Sequence, residues 1–197
     1  MKKTTKMLMS SLLVAVGLAA CGSNSSSTST NAANRLTMTT FGELTTLDSA
    51  DYDDVPSSDM MGQIFEGLYR VAANNKVELG MAAQEPKVSE DGLVYTFTLR
   101  DAKWSDGSAV KAQDFVFTYR KLVNPQEGHV AQSADVFKNA KKIRSGELPV
   151  EELGVKALDD KTLEITLENP APYLPKLLTG SRFLPQSEAV AQKLGDQ

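Results

Sequence analysis

A lone cysteine, a lone histidine and a knot of aspartates are the residues here whose chemistry reaches beyond packing. Cys21 follows Leu18-Ala19-Ala20 at the end of an apolar stretch, Met7 to Ala20, and Lys2, Lys3 and Lys6 precede that stretch. A positive start, a short apolar run and small residues before the break make a secretion signal. The run is too short for a spanning helix with stop-transfer flanks. Leu18 to Cys21 reads as a lipobox, in which the thiol takes a diacylglyceryl group and the small residues before it fit the peptidase. With one Cys the chain can form no internal disulfide, so an oxidising compartment leaves no staple in it.

Asp51, Asp53 and Asp54 place three carboxylates within four positions. They lack the central glycine and distal glutamate of a calcium loop, and the plain reading is a solvated loop. His129 stands in a polar stretch without Cys, Ser or carboxylate partners at catalytic spacing, and reads as a surface residue. Gly-x-Ser-x-Gly, Cys-x-x-Cys and Gly-x-Gly-x-x-Gly are all absent, which argues against a hydrolase, a redox enzyme or a dinucleotide enzyme. Loss of the first twenty residues takes three Lys and no acid. The 21 basic residues fall to 18 against 25 acidic ones, a formal net charge of −7. That balance argues against nucleic acid as partner and against a polybasic membrane patch, leaving the lipid as the membrane contact.

The elements that would position these residues can be read in order. Gly22 to Asn34 is Ser, Thr, Asn and Ala without charge or hydrophobic period, a flexible tether. Arg35 to Thr40 is β-rich and continues through Phe41 to Asp48 toward a loop. Pro56 and Ser57-Ser58-Asp59 predict a helix start, with Met60, Ile64, Leu68 and Met61, Phe65 at core-facing helical spacing. Asp91-Gly92 is a turn pair. Leu93, Tyr95, Phe97 and Leu99 then alternate with Val94, Thr96 and Thr98, a strand with one apolar face. Ser105-Asp106-Gly107 makes a second turn, just after Trp104, and both Trp104 and Phe97 are expected to be buried. Ala112 to Val123 is an amphipathic helix carrying Phe115, Tyr119 and Leu122. Lys111 is a poor cap for it, so Asp114 must offset the exposed amides. Asn124-Pro125 ends that helix. Ala131 to Lys141 is a short helical candidate. Glu151 to Leu167 reads as a hairpin turning at Asp159-Asp160-Lys161-Thr162, and Glu188 to Leu194 as a last helix.

One block carries more than elements: Asp91-Gly92-Leu93, Tyr95-Thr96-Phe97, Leu99-Arg100, Ala102, Trp104 to Gly107, Ala112 and Asp114-Phe115, in that order. It resembles the signature of the extracellular solute-binding proteins of oligopeptide and dipeptide ABC importers. Phe65-Glu66-Gly67-Leu68, Gly154-Val155 through Asp159-Asp160 to Thr162-Leu163, and Pro170-Ala171-Pro172-Tyr173-Leu174 extend the resemblance, which covers Leu36 to Gly195. Ser49 after Asp48, Glu85-Pro86 and Lys111 depart from the family pattern.

The resemblance implies an α/β, periplasmic-binding-protein-like fold (type II, the three-domain cluster), here its N-terminal part only, because family members are longer. It divides the chain into a lipoprotein signal peptide at 1–20, a tether at 21–34, the start of a large ligand-binding lobe at 35–65, and a smaller inserted mixed α/β lobe at 66–197. The implied function is non-catalytic: capture of extracellular oligopeptides for delivery to ABC permease subunits, by a monomer held through a lipid on Cys21 at the outer face of a bacterial cell membrane. No cofactor, metal or nucleic acid is implied. Asp53, Asp54 and Val55 fall where relatives line the peptide cleft. The alternatives are another solute of the superfamily (nickel, haem or an oligosaccharide) or a peptide-pheromone sensing or adhesion lipoprotein without transport.

Overall fold

The computed structural model describes residues 37–127 and 131–194. Cys21, the tether and His129 therefore lie outside the described residues. From Thr40 onward the chain forms one unit, and that unit carries the fold.

Two sheets organise it. β1 (Tyr69–Val71) and β2 (Val77–Leu79) pair antiparallel, with Tyr69 opposite Leu79. Their tight turn is closed by the Asn75 N–H on the Ala72 carbonyl, and Asn75 takes φ 60°, a left-handed conformation that Asn tolerates better than most residues. The second sheet runs in the order β3 (Lys87–Val88), β4 (Val94–Thr98), β6 (Thr162–Thr166), β5 (Val155–Ala157), every pair antiparallel. In β4 the alternation read from the sequence is observed: Tyr95 and Phe97 are buried between less buried neighbours. Phe97 faces Leu163 and Tyr95 faces Ile165 across the pairing with β6, so one sheet face is apolar throughout.

Helix α2 (Ala112–Lys121) covers that face, burying Phe115, Val116 and Tyr119. Lys111 supplies no side-chain cap. Asp114 takes over, its Oδ2 accepting the Lys111 N–H at 2.9 Å. Tyr119 is the centre of an aromatic cluster, stacked on Phe137 at 5.2 Å and edge-on to Phe183 at 5.7 Å. Its hydroxyl donates to the Phe183 carbonyl at 3.3 Å. Burial pushes that phenol well above the usual tyrosine range, so it remains a donor throughout the physiological range.

Helix α1 (Val55–Ile64) starts at Val55, just ahead of the expected start at Pro56 to Asp59, and is capped by Asp54. It also ends at Ile64, short of Leu68, and only part of its expected core stripe is buried. Met61 is fully buried while Ile64 is 55% exposed. The β-rich run expected from Arg35 to Thr40, continuing through Phe41 to Asp48, is irregular over its described residues 37–48 and forms no ladder there, since an extended segment is a strand only where a partner takes its hydrogen bonds. Ala131 to Lys141 is not one helix: a 3-10 turn, Gln132–Val136, is separated from α3 (Ala140–Arg144) by Asn139 at φ 68°, which breaks the right-handed run. Trp104 is half-buried and lies edge-on to Phe65 at 6.4 Å, so its expected full burial is corrected.

The chain finishes with α4 (Leu174–Leu177), a 3-10 turn at Ser181–Phe183 that packs on α1, and α5 (Glu188–Leu194).

Candidate functional site

The three ligand candidates stand together where a loop enters α1. Asp54 is extended, at φ −116° and ψ 152°, and its Oδ1 accepts the Ser57 N–H at 2.7 Å. The Thr45 hydroxyl donates to its other oxygen. That hydroxyl, followed by the Ser57 amide, holds the Asp54 carboxyl below the usual carboxylate range, so it stays ionised. Ser57, itself fully buried, accepts the Thr45 and Thr46 N–H groups at 3.2 and 3.3 Å and draws the preceding segment onto the helix.

Asp54 is therefore occupied with starting the helix. Its two neighbours face outward: Asp53 is exposed and Val55 is 54% exposed. Val55 opens the helix, where an N–H has no intrahelical acceptor, and Pro56 behind it has no N–H to offer. An outward carboxylate beside an amide without an intrahelical acceptor suits the charged end and backbone of an extended ligand.

The loop ahead of Asp53 is anchored from several sides. Asp48 Oδ2 meets Lys121 Nζ at 2.7 Å, while its Oδ1 accepts the Ala50 N–H at 2.8 Å and Gln186 Nε2 at 2.6 Å. Partial burial works to raise the Asp48 carboxyl, but these donors outweigh it and hold it below the usual range. Ser49, 1% exposed, donates to the Leu184 carbonyl at 2.9 Å. Arg182 reaches the Ala50 and Tyr52 carbonyls. Nothing in the sequence marks Lys121, Arg182 and Gln186 for this role, because they lie 73 to 138 positions from their partners and share no local pattern with them.

Beyond the other end of α1 lies an open groove of about 520 Å³ lined by Ile64, Phe65, Glu66, Arg70, Ser181 and Leu184 among others. Among the described residues, no group of three or more His, Cys, Asp or Glu is placed to hold a metal ion. No helix among them is long and apolar enough to cross a membrane.

Similarity to known proteins defines the class of this chain. The family of bacterial extracellular solute-binding proteins, family 5 Middle, matches residues 76–196. The chain belongs to that family, and its fold is periplasmic-binding-protein-like. The periplasmic oligopeptide-binding protein OppA of Escherichia coli K12 is 37% identical over 166 residues, covering 79% of this chain and 29% of the relative. A dipeptide-binding protein of Lactococcus lactis subsp. cremoris is 33% identical over 200 residues, covering 99% of this chain and 35% of its own length. A crystal structure of the substrate-binding domain of an oligopeptide ABC transporter from Bacillus anthracis superposes with a TM-score of 0.73. It is 41% identical, over 76% of this chain and 29% of that one. The chain thus spans about a third or less of the length of these relatives.

Proposed function

We propose that this chain is part of a substrate-binding lipoprotein of an ABC importer, and supplies one wall of a cleft that captures extracellular oligopeptides for a permease. The observation that carries the reading is the loop entering α1, where Asp53 and Val55 face outward while Asp54 and Ser57 fix the backbone behind them. The peptide binding named for its relatives supports it. The role is capture without chemistry. Asp53 meets a positive group of the ligand, and the backbone at Val55 pairs with an extended peptide, which gives affinity without reading side chains.

In this reading residues 35–65 begin a large lobe and 66–197 form most of a smaller inserted lobe. Cys21 carries the lipid that holds a monomer at the outer face of the cell membrane, through the 21–34 tether. Because relatives are about three times longer, a ligand held by this chain alone meets only part of the cleft.

Calorimetry with a defined mixture of three- to five-residue peptides tests the reading on this chain and on the E. coli relative side by side. Peptide-dependent heat is expected from both, with far weaker affinity here. Heat with an oligosaccharide or Ni²⁺ and none with peptides overturns it, and so does peptide affinity equal to the relative's.

A further inference from the structure

The outward pair Asp53 and Val55 owes its position to a residue far along the chain. Arg182 Nη2 donates to the Tyr52 carbonyl at 2.6 Å, and Nη1 to the Ala50 carbonyl at 3.5 Å. The guanidinium carbon also lies 4.4 Å from the centre of the Tyr52 ring. A planar fork can serve two carbonyls and a ring face at once, whereas an ammonium is a point charge on a flexible stem. The grip falls on the residue immediately ahead of Asp53, and Ala50 beneath it is wholly buried. Leu184 and Gln186, from the same segment, hold Ser49 and Asp48. Ser58 is tied there too, through Ser181, on the far side of the pair.

We propose that Arg182 is the positioning residue of the ligand-facing loop: it fixes the path of Tyr52 so that Asp53 and the Val55 amide are aligned before a peptide arrives. The proposal rests on the peptide-cleft reading above. Its physical logic is preorganisation, since a loop already ordered in the free protein pays no ordering cost when the ligand binds. Three elements meet at this clamp: the loop, α1 and the 181–186 segment. The 181–186 segment lies within the stretch matched by the family. It is also bonded to α2, through the Tyr119 hydroxyl on the Phe183 carbonyl and the Gln186 N–H on the Thr118 hydroxyl, so it joins the helix that covers the sheet to the loop.

The test uses the 197-residue chain as wild type, Arg182→Gln, Arg182→Lys and Tyr52→Leu, with amide NMR and tetra-alanine as the probe. In R182Q the amides of Ala50 to Val55 are expected to shift and exchange faster, with the sheet amides of β4 and β6 unchanged. Affinity for tetra-alanine should fall about tenfold. R182K should recover less than half of that loss, because it cannot hold both carbonyls and the ring. Y52L, which removes only the ring, should show a smaller loop shift and a smaller loss, and it serves if R182Q does not fold. Loop amides unchanged in both R182Q and Y52L overturn the proposal whatever the ligand does. A displaced loop with undiminished tetra-alanine affinity also overturns it. A wild-type chain whose amides do not respond to tetra-alanine at all overturns the cleft reading and the binding role of Arg182 with it, while the loop amides still report whether the clamp exists.

Discussion

Trp104 Nε1 donates to Asp114 Oδ2 at 3.1 Å, so the indole that closes the strand-turn unit is tied to the first turn of the helix that covers the sheet. The same carboxylate accepts the Lys111 N–H at 2.9 Å and, through Oδ1, the Glu188 N–H at 3.2 Å. One buried side chain thus joins the turn, the start of α2 and the start of α5. The indole N–H is thus satisfied within the protein, while the ring lies edge-on to Phe65.

Asp114→Ala leaves three donors without their acceptor in a place that is 7% exposed. The expected loss of stability is about 3 kcal/mol, with Asp114→Asn intermediate. Urea unfolding measures it, and a loss under about 1 kcal/mol would show that water replaces the carboxylate at little cost.

Phe97 and Trp104 should separate on truncation. Phe97 is wholly buried, and Phe97→Ala should cost about 3–5 kcal/mol. Trp104→Ala leaves a gap that solvent partly fills and should cost roughly half as much. As the only Trp, Trp104 should emit between the buried and water-like extremes, with quenching by acrylamide to match. Equal losses for the two variants would contradict the observed burial.

Gly80→Ala tests a close approach. A Cβ at Gly80 would stand 2.5 Å from the Gly67 carbonyl oxygen, a backbone atom that cannot swing aside. The β1–β2 unit must shift to admit it, at about 1–3 kcal/mol. A Gly80→Ala protein as stable as wild type in thermal melting would mean that the approach is looser than described.

Stability should fall on the acid side, and Asp48 should contribute. Its folded pKa lies below the ordinary value of 3.8 despite partial burial. A carboxyl depressed in the folded state adds stability that is fully present above the unfolded pKa and is lost as pH falls through the folded one. Asp48→Asn should therefore be less stable than wild type at pH 6, with the difference narrowing as the pH falls below the ordinary carboxylate value of 3.8. Parallel curves from pH 6 to 2 would remove Asp48 from the acid transition.

Cys21→Ala tests the anchor. If the thiol carries the lipid, the variant should leave the membrane fraction of the cells that express it. Membrane retention equal to wild type, with the signal still cleaved, would defeat the lipid reading.

What the linear order of residues determined was local. Alternation in β4 and β6 marks their buried faces because side chains on a strand point to opposite sides with a period of two. The turns at Gly92 and Gly107 were legible because their φ values of 70° and 89° suit glycine, and Asp114 was legible because Lys111 cannot cap. The family was legible because its motifs are runs of neighbouring residues. What only the tertiary structure decided is everything that depends on a distant partner. Residues 37–40 and their continuation to Asp48 have strand composition but no ladder, and Ile64 has helical spacing but is 55% exposed. Asp54 and Asp53 look alike in the sequence, yet Thr45 and Ser57 make one a cap and leave the other outward. The clamp of Lys121, Arg182 and Gln186 on residues 48–52 joins segments with no shared pattern, because hydrogen-bond geometry in space leaves no period along the chain.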